Sequence, residues 1–179
     1  MNQQATASDH ARGAEPGAIA TSDLPNAAGG QIQFVSFAIG GEQYGVDIMA
    51  VREIKGWSEI THLPRQPDYI RGVLNLRGTI VPIMDLRCRF GMGLTEPTPL
   101  HILIIVQIDG RQVGLIGDRV IDIVSAATAE IHQVPRTKQG APADFLSGLV
   151  KHDDTMIALI DLPQLLAETG DVTAAATPH

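Results

Sequence analysis

The sequence predicts a mainly β protein: two tandem five-stranded β-barrels related by pseudo-twofold symmetry, with a short C-terminal helix. Three observations carry this. Apolar residues fall in strand-sized runs bounded by glycine, proline and aspartate. The runs also repeat. Gly41, Gln43, Gly45, Val51 and Ile54 return 69 residues later as Gly110, Gln112, Gly114, Val120 and Ile123. Glu59-Ile60 and Pro64-Arg65 return 71 residues later as Glu130-Ile131 and Pro135-Arg136. Gly72, Thr79, Asp85 and Leu86 return 76 residues later as Gly148, Thr155, Asp161 and Leu162. The offset grows in steps, as loop insertions make it grow, and the last insertion is the stretch RTKQGAPAD. Finally, each unit is about 55–65 residues long, room for about five short strands and the size of a small barrel.

The elements follow in order. Residues 1–30 are almost devoid of large apolar side chains and are expected to form a flexible tail, because such a segment cannot offset its ordering entropy by burial. Gln33 to Ile39 and Glu42 to Val46 are two strands joined by Gly40-Gly41, and glycine tolerates the positive φ of a tight hairpin turn. Val51-Arg52-Glu53-Ile54 is a further strand. A second hairpin runs Val73 to Leu76, turns at Arg77-Gly78, and returns through Thr79 to Met84; Pro82 lacks an N–H and should face an edge or a bulge. Ile102 to Val106 is the densest apolar run and is strand-sized. Asp153-Asp154 marks the last turn. Leu162 to Glu168 reads as a closing helix with Asp161 as its N-cap. The domain is thus expected over 31–170, with a first barrel unit at about 33–90, a second at about 100–166, and a second tail over 171–179.

Composition narrows the function. The chain has 179 residues, 44% hydrophobic and 18% charged, which is globular rather than disordered. Thirteen basic against twenty acidic side chains give a net charge of −7, unsuited to nucleic acid, whose affinity comes from basic groups on phosphate. The single cysteine, Cys88, excludes an intrachain disulfide and a Cys-rich zinc site. No run approaches the ~20 apolar residues of a membrane helix, and the N-terminus lacks the pattern of a signal peptide, so a cytoplasmic protein without membrane insertion is expected. Phosphate-loop, dinucleotide, metalloprotease and nucleophile-elbow motifs are missing, and no two of the six histidines sit at i, i+4. No cofactor, metal or catalytic residue is therefore expected. Cys88 stands between Arg87 and Arg89, which would lower its pKa, whereas a small half-buried residue is its ordinary role.

Duplication supplies an internal control. Residues shared by both units serve the frame; residues present once are free to be specific. Arg77 is the clearest of these, since a β-turn needs no arginine and the second unit has Asp153 there. Glu53 is positioned to pair with it, either as a surface ion pair worth ~0–1 kcal/mol or as part of an interface, where arginine is enriched.

The string from Tyr69 to Arg87, YIRGVLNLRGTIVPIMDLR, resembles the CheW family of chemotaxis coupling proteins. So does Tyr44-Gly45-Val46-Asp47-Ile48 followed by Val51-Arg52-Glu53-Ile54. The resemblance runs from about Gln33 to Leu166, leaving the N-terminal tail and the loop Gly91–Pro99 outside the matched motifs. It implies two intertwined five-stranded SH3-like barrels and a scaffold without catalysis. It implies two partners, the cytoplasmic tip of methyl-accepting chemotaxis receptors and the CheW-like regulatory domain of the histidine kinase CheA, with recruitment to membrane receptor arrays. Carried over, Glu53 and Arg77 match the family's paired acid and arginine, Arg71 its nearby basic position, and Gly72 the glycine before the hairpin. Ile48, Val51 and Ile54 match apolar positions near the receptor groove, and Ile102 a receptor-associated position in the second unit; core packing is the other reading of these four. From the residues alone, a small-ligand-binding or enzymatic barrel using the cleft between the units remains the alternative.

Overall fold

The computed structural model describes residues 30–135, 143–167 and Thr169. The tails expected at 1–30 and 171–179 lie outside the described residues, Gly30 apart, as does most of the insertion in the second unit. From Gln31 the strands run β1 (Gln31–Ile39), β2 (Glu42–Asp47), β3 (Val51–Gly56), β4 (Ile70–Leu76), β5 (Thr79–Asp85), β6 (Ile102–Ile108), β7 (Arg111–Gly117), β8 (Arg119–Ala127), β9 (Leu146–His152) and β10 (Thr155–Ile160). A short helix follows each half, α1 (Leu86–Arg89) and α2 (Leu162–Ala167).

The strands form two five-stranded sheets, ordered β8-β1-β2-β10-β9 and β3-β6-β7-β5-β4. Moving every label by five converts one order into the other, so the repeat read from the sequence is a symmetry of the fold. The sheets are not, however, the two contiguous sequence units. The first unit places β1 and β2 in one sheet and β3, β4 and β5 in the other, and the second unit does the converse. This is the intertwining that the family resemblance implied. The exchange is made at four seams, the antiparallel pairs β1–β8 and β3–β6 and two parallel ones, β2 on β10 with Gly45 opposite Leu159, and β7 on β5 with Gly114 opposite Ile83. A Cβ on Gly45 would stand 3.0 Å from Leu159 Cδ2, and one on Gly114 2.5 Å from Ile83 Cδ1. The matched glycines therefore make room for the side chain of the strand from the other unit.

Closure of each barrel is also duplicated. Beyond β3, Thr61 exchanges two backbone hydrogen bonds with Val73 of β4, at 2.9 and 2.8 Å; beyond β8, His132 does the same with Leu149 of β9, both at 2.8 Å. The β4–β5 register slips between Ile70 and Gly72, and the β10–β9 register slips between Leu159 and Ile160, opposite Gly148 and Leu146. Pro82 lies on β5, an interior strand. Its pairing with β7 begins only at Ile83, and in the antiparallel ladder with β4 the Val73–Pro82 pair needs no N–H from Pro82. The edge that Pro82 requires is thus local to its register.

Strand alternation serves two cores at once, which explains the continuous apolar runs. Leu103 and Ile105 of β6 join Leu76, Val81, Ile83 and Ile116 inside one barrel, while Ile104 and Val106 enter the main core with Phe37, Tyr44, Met84, Leu115 and Leu165. Phe34 joins Val124, Val150, Ile157 and Leu159 inside the other barrel. Arg89 lies between the rings of Tyr69 and Phe145, 4.3 Å from each centroid; these residues precede β4 and β9 and are repeat-equivalent, so one arginine ties the two sheets together.

Candidate functional site

The β4–β5 hairpin turns on Arg77 (φ 49°) and Gly78 (φ 88°), both left-handed, as a two-residue hairpin loop requires. Asn75 Oδ1 braces the turn by accepting the Gly78 N–H at 2.9 Å. The three other two-residue hairpin turns put Gly40, Asp109 and Asp153 at the position of Arg77. Glycine adopts that conformation freely and aspartate tolerates it, whereas for a long side chain it costs about 1 kcal/mol. The three other copies show that the turn itself does not require an arginine.

Arg77 reaches from the hairpin to β3, where its Nη2 donates to Glu53 Oε2 at 2.5 Å. β3 and β4 are the two ends of their sheet, so this pair spans the barrel's closing gap. The arginine is 77% exposed and the glutamate 29%, leaving most of the guanidinium free for a further acceptor. Around them Arg52, Leu76, Thr79, Ile105 and Gln112 line a small pocket. Arg52 Nε donates to Gln107 Oε1 at 3.0 Å, which fixes the neighbouring cation. At the equivalent place in the second unit Asp122 faces His152 at 3.9 Å, and His152 lies 3.8 Å from Asp153. The two barrels thus present different charge on a common frame.

Arg71 and Gly72, interface candidates on the family resemblance, are tied into the frame by their contacts. Arg71 Nη1 donates to Asp85 Oδ2 at 3.0 Å and to the Thr95 carbonyl at 2.8 Å. Asp85 is fully buried and also accepts from Thr95 N and Thr95 Oγ1, each at 2.7 Å, and from Cys88 N at 3.3 Å as the cap of α1. This network holds the Gly91–Pro99 loop on the barrel. Gly72 is buried with φ 145°, and a Cβ there would run into the Thr61 carbonyl at the closing bridge. A Cβ on Gly148 would instead meet the Ile131 side chain, 2.4 Å from its Cγ2.

Of the four aliphatic candidates, Ile48, Val51 and Ile102 are half-buried and pack against the main core, while Ile54 is 40% exposed. Along β3 the half-buried Val51, Glu53 and Lys55 alternate with the exposed Arg52, Ile54 and Gly56. The structure therefore brings Glu53 and Arg77 together and turns Ile54 away from them. Met49, beside Ile48, is 80% exposed, and its repeat partner is Asp118.

Burial pushes the Cys88 thiol up, and Asp85 adds to the effect; together they outweigh Arg71 and Arg89, so the lowering expected from flanking arginines does not occur. Burial likewise pushes the Tyr44 phenol up, reinforced by its hydrogen bond to Glu42. Among the described residues no cluster of three or more His, Cys, Asp or Glu is placed to hold a metal ion, and no helix is long and apolar enough to cross a membrane.

A family model for the CheW-like domain matches residues 33–170. The chain belongs to the CheW-like domain family. Among curated CheW relatives it is 39% identical over 140 residues to the probable chemotaxis protein CheW of Rhizobium etli, covering 78% of this chain and 90% of that one. It is 38% identical over 130 residues to the chemotaxis protein CheW of Rhizobium meliloti, covering 73% and 84%. The crystal structure of the scaffolding protein TtCheW from Thermoanaerobacter tengcongensis shares the CheW-like fold with a TM-score of 0.68 and 36% identity, over 74% of this chain and 86% of that one.

Proposed function

We propose that this chain is a non-catalytic adaptor of bacterial chemotaxis that couples methyl-accepting receptors to the histidine kinase CheA and so places kinase autophosphorylation under receptor control. The observation that carries the reading is the strained, single-copy Arg77 paired with Glu53 on an otherwise duplicated frame. An exposed guanidinium held in one place is suited to selecting a protein partner. The relatives' names, chemotaxis protein and scaffolding protein, support it. On this reading the protein works on the cytoplasmic side, recruited to receptor arrays. Glu53 and Arg77 select the partner, Ile48, Val51, Ile54 and Ile102 supply the apolar contacts, and Arg71 and Gly72 hold the hairpin that carries Arg77.

The test is CheA autophosphorylation in receptor-containing membranes with and without this protein. The expected result is strong activation that attractant suppresses. Arg77→Asp should lose that activation while keeping the native circular dichroism and melting temperature, because the side chain is exposed. Normal receptor control by a folded Arg77→Asp protein would sink the assignment of Arg77, and no activation by the wild type would sink the coupling role.

A further inference from the structure

Two arginines reach the pocket at the closing gap of the first barrel, Arg77 from the β4–β5 hairpin and Arg52 from β3. A β-bulge brings Arg52 there. The β3–β6 register slips between Val51, opposite Val106, and Glu53, opposite Ile105, so Arg52 is the extra residue on its strand. Gln107 stands two residues beyond Ile105 on β6 and therefore on the same face of the sheet. Its Oε1 accepts from Arg52 Nε at 3.0 Å, which holds the Arg52 side chain on the face that carries Glu53. Gln112 Nε2 donates to the same oxygen at 3.3 Å and fixes the amide.

We propose that Arg52 and Arg77 form a two-arginine clamp for a side-chain carboxylate, a glutamate or aspartate on a protein partner. The identity of that partner rests on the adaptor reading; the site does not. Charge carries the argument first. Two guanidinium groups and one carboxylate line the pocket, and that carboxylate, Glu53, is already engaged by Arg77, so the pocket is short of one negative charge. Arg52 Nε is committed to Gln107, and its two Nη groups carry the donors for a new acceptor. Arg77 is 77% exposed, so the clamp stands out from the surface to meet a partner's side chain rather than enclosing a free ion.

The repeat supplies the second argument. The same bulge recurs in β8, where the register with β1 slips past Ile121, between Val120 and Asp122. At that corner Ile121 replaces Arg52, Asp153 replaces Arg77 and Ala38 replaces Gln107. The bulge therefore needs neither the arginine nor its brace, and both arginines of the clamp are single-copy residues converging on one pocket. The second corner sets Asp122 and Asp153 beside His152 instead. A carboxylate is thus drawn to the first barrel and repelled from the second, which fixes the orientation in which an acidic partner docks.

NMR of the full chain tests the clamp without any partner. N-acetyl-glutamate α-amide supplies the carboxylate, and N-acetyl-glutamine α-amide is its neutral twin. At matched ionic strength the Nε–Hε resonances of Arg52 and Arg77 should shift with the first and not with the second, while that of Arg71, paired with the buried Asp85, holds with both. Binding to CheA and to receptor-containing membranes, measured separately by pull-down and co-sedimentation, then places the carboxylate. Arg52→Gln should weaken binding to one of the two about tenfold, as loss of a charge-assisted hydrogen bond predicts, and should flatten its salt dependence. Its melting temperature should hold, because Arg52 is exposed. Gln107→Ala, which removes the brace, should lose a smaller part of the same binding. Equal shifts with the two amides overturn the clamp, and the wild-type spectra decide this even where a variant does not fold. An Arg52→Gln protein that binds both partners as the wild type does also overturns it, even if Arg77→Asp loses coupling. A wild type that shows the carboxylate-specific shifts and binds neither CheA nor receptors sinks the adaptor reading alone.

Discussion

Arg77 separates stability from partner choice within one side chain. Its left-handed turn conformation costs about 1 kcal/mol, and its exposed ion pair with Glu53 returns no more than that. Arg77→Gly should therefore melt at or slightly above the wild-type temperature while losing receptor-controlled kinase activation. A variant that melts several degrees lower would show that the arginine is needed for folding instead. Cys88 makes the opposite case. Its sequence neighbours are two arginines, yet its thiol is pushed up by burial and by Asp85. It should alkylate more slowly than free cysteine at about pH 8, because less of it is thiolate there; iodoacetamide kinetics followed by mass spectrometry would measure this. The Arg77–Glu53 pair was legible from sequence because a turn needs no arginine. The state of Cys88 was not, because burial and a carboxylate three residues away on the helix cap decide it.

Near the start of β4 and of β9 a glycine lets another segment of the chain approach the strand. Gly72 and Gly148 sit at the bulges where the connector beyond β3 or β8 returns to close the barrel. Gly72→Ala and Gly148→Ala should each destabilise by about 2 kcal/mol or more, since the new methyl meets backbone or a packed isoleucine and the closing bridge must open. Gly41→Ala, with nothing within 4 Å of the new methyl, should cost far less. Urea melts of the three variants measure the contrast. The α1 cap carries a second element-scale dependence. Arg71→Ala would leave Asp85 buried without its cation, and a loss of about 1–3 kcal/mol is expected, discounted because Arg71 itself is partly exposed. An unchanged melt would mean that the two Thr95 hydrogen bonds suffice for the carboxylate.

Across the whole molecule, the duplicated identities gave away the symmetry but not the membership of each sheet. Gly45 and Gly114 are visible as a matched pair, yet nothing local in the chain says that each faces a strand of the other unit. That information lies in the parallel seams, which pair residues far apart in sequence, and only the family resemblance supplied it. The aliphatic candidates show the same limit, for alternation along β3 and β6 told which residues share a face but not which face meets the second sheet.

The exchanged strands also bear on how the chain is made. β1 pairs with β8, placing Gln33 against Ser125, 92 positions away, so much of the sheet forms only after a long loop closes. During synthesis the first half has no complete sheet to join until the second emerges, a wait on the order of 5–20 s at typical elongation rates. Cut within Gly91–Pro99, the chain should yield two fragments that are each unfolded alone and that assemble when mixed, at a rate that rises with concentration. Circular dichroism of the fragments apart and together would show it, and a fragment that folds by itself would refute it. The fold is, in this sense, a strand-swapped dimer whose two halves are joined by one loop.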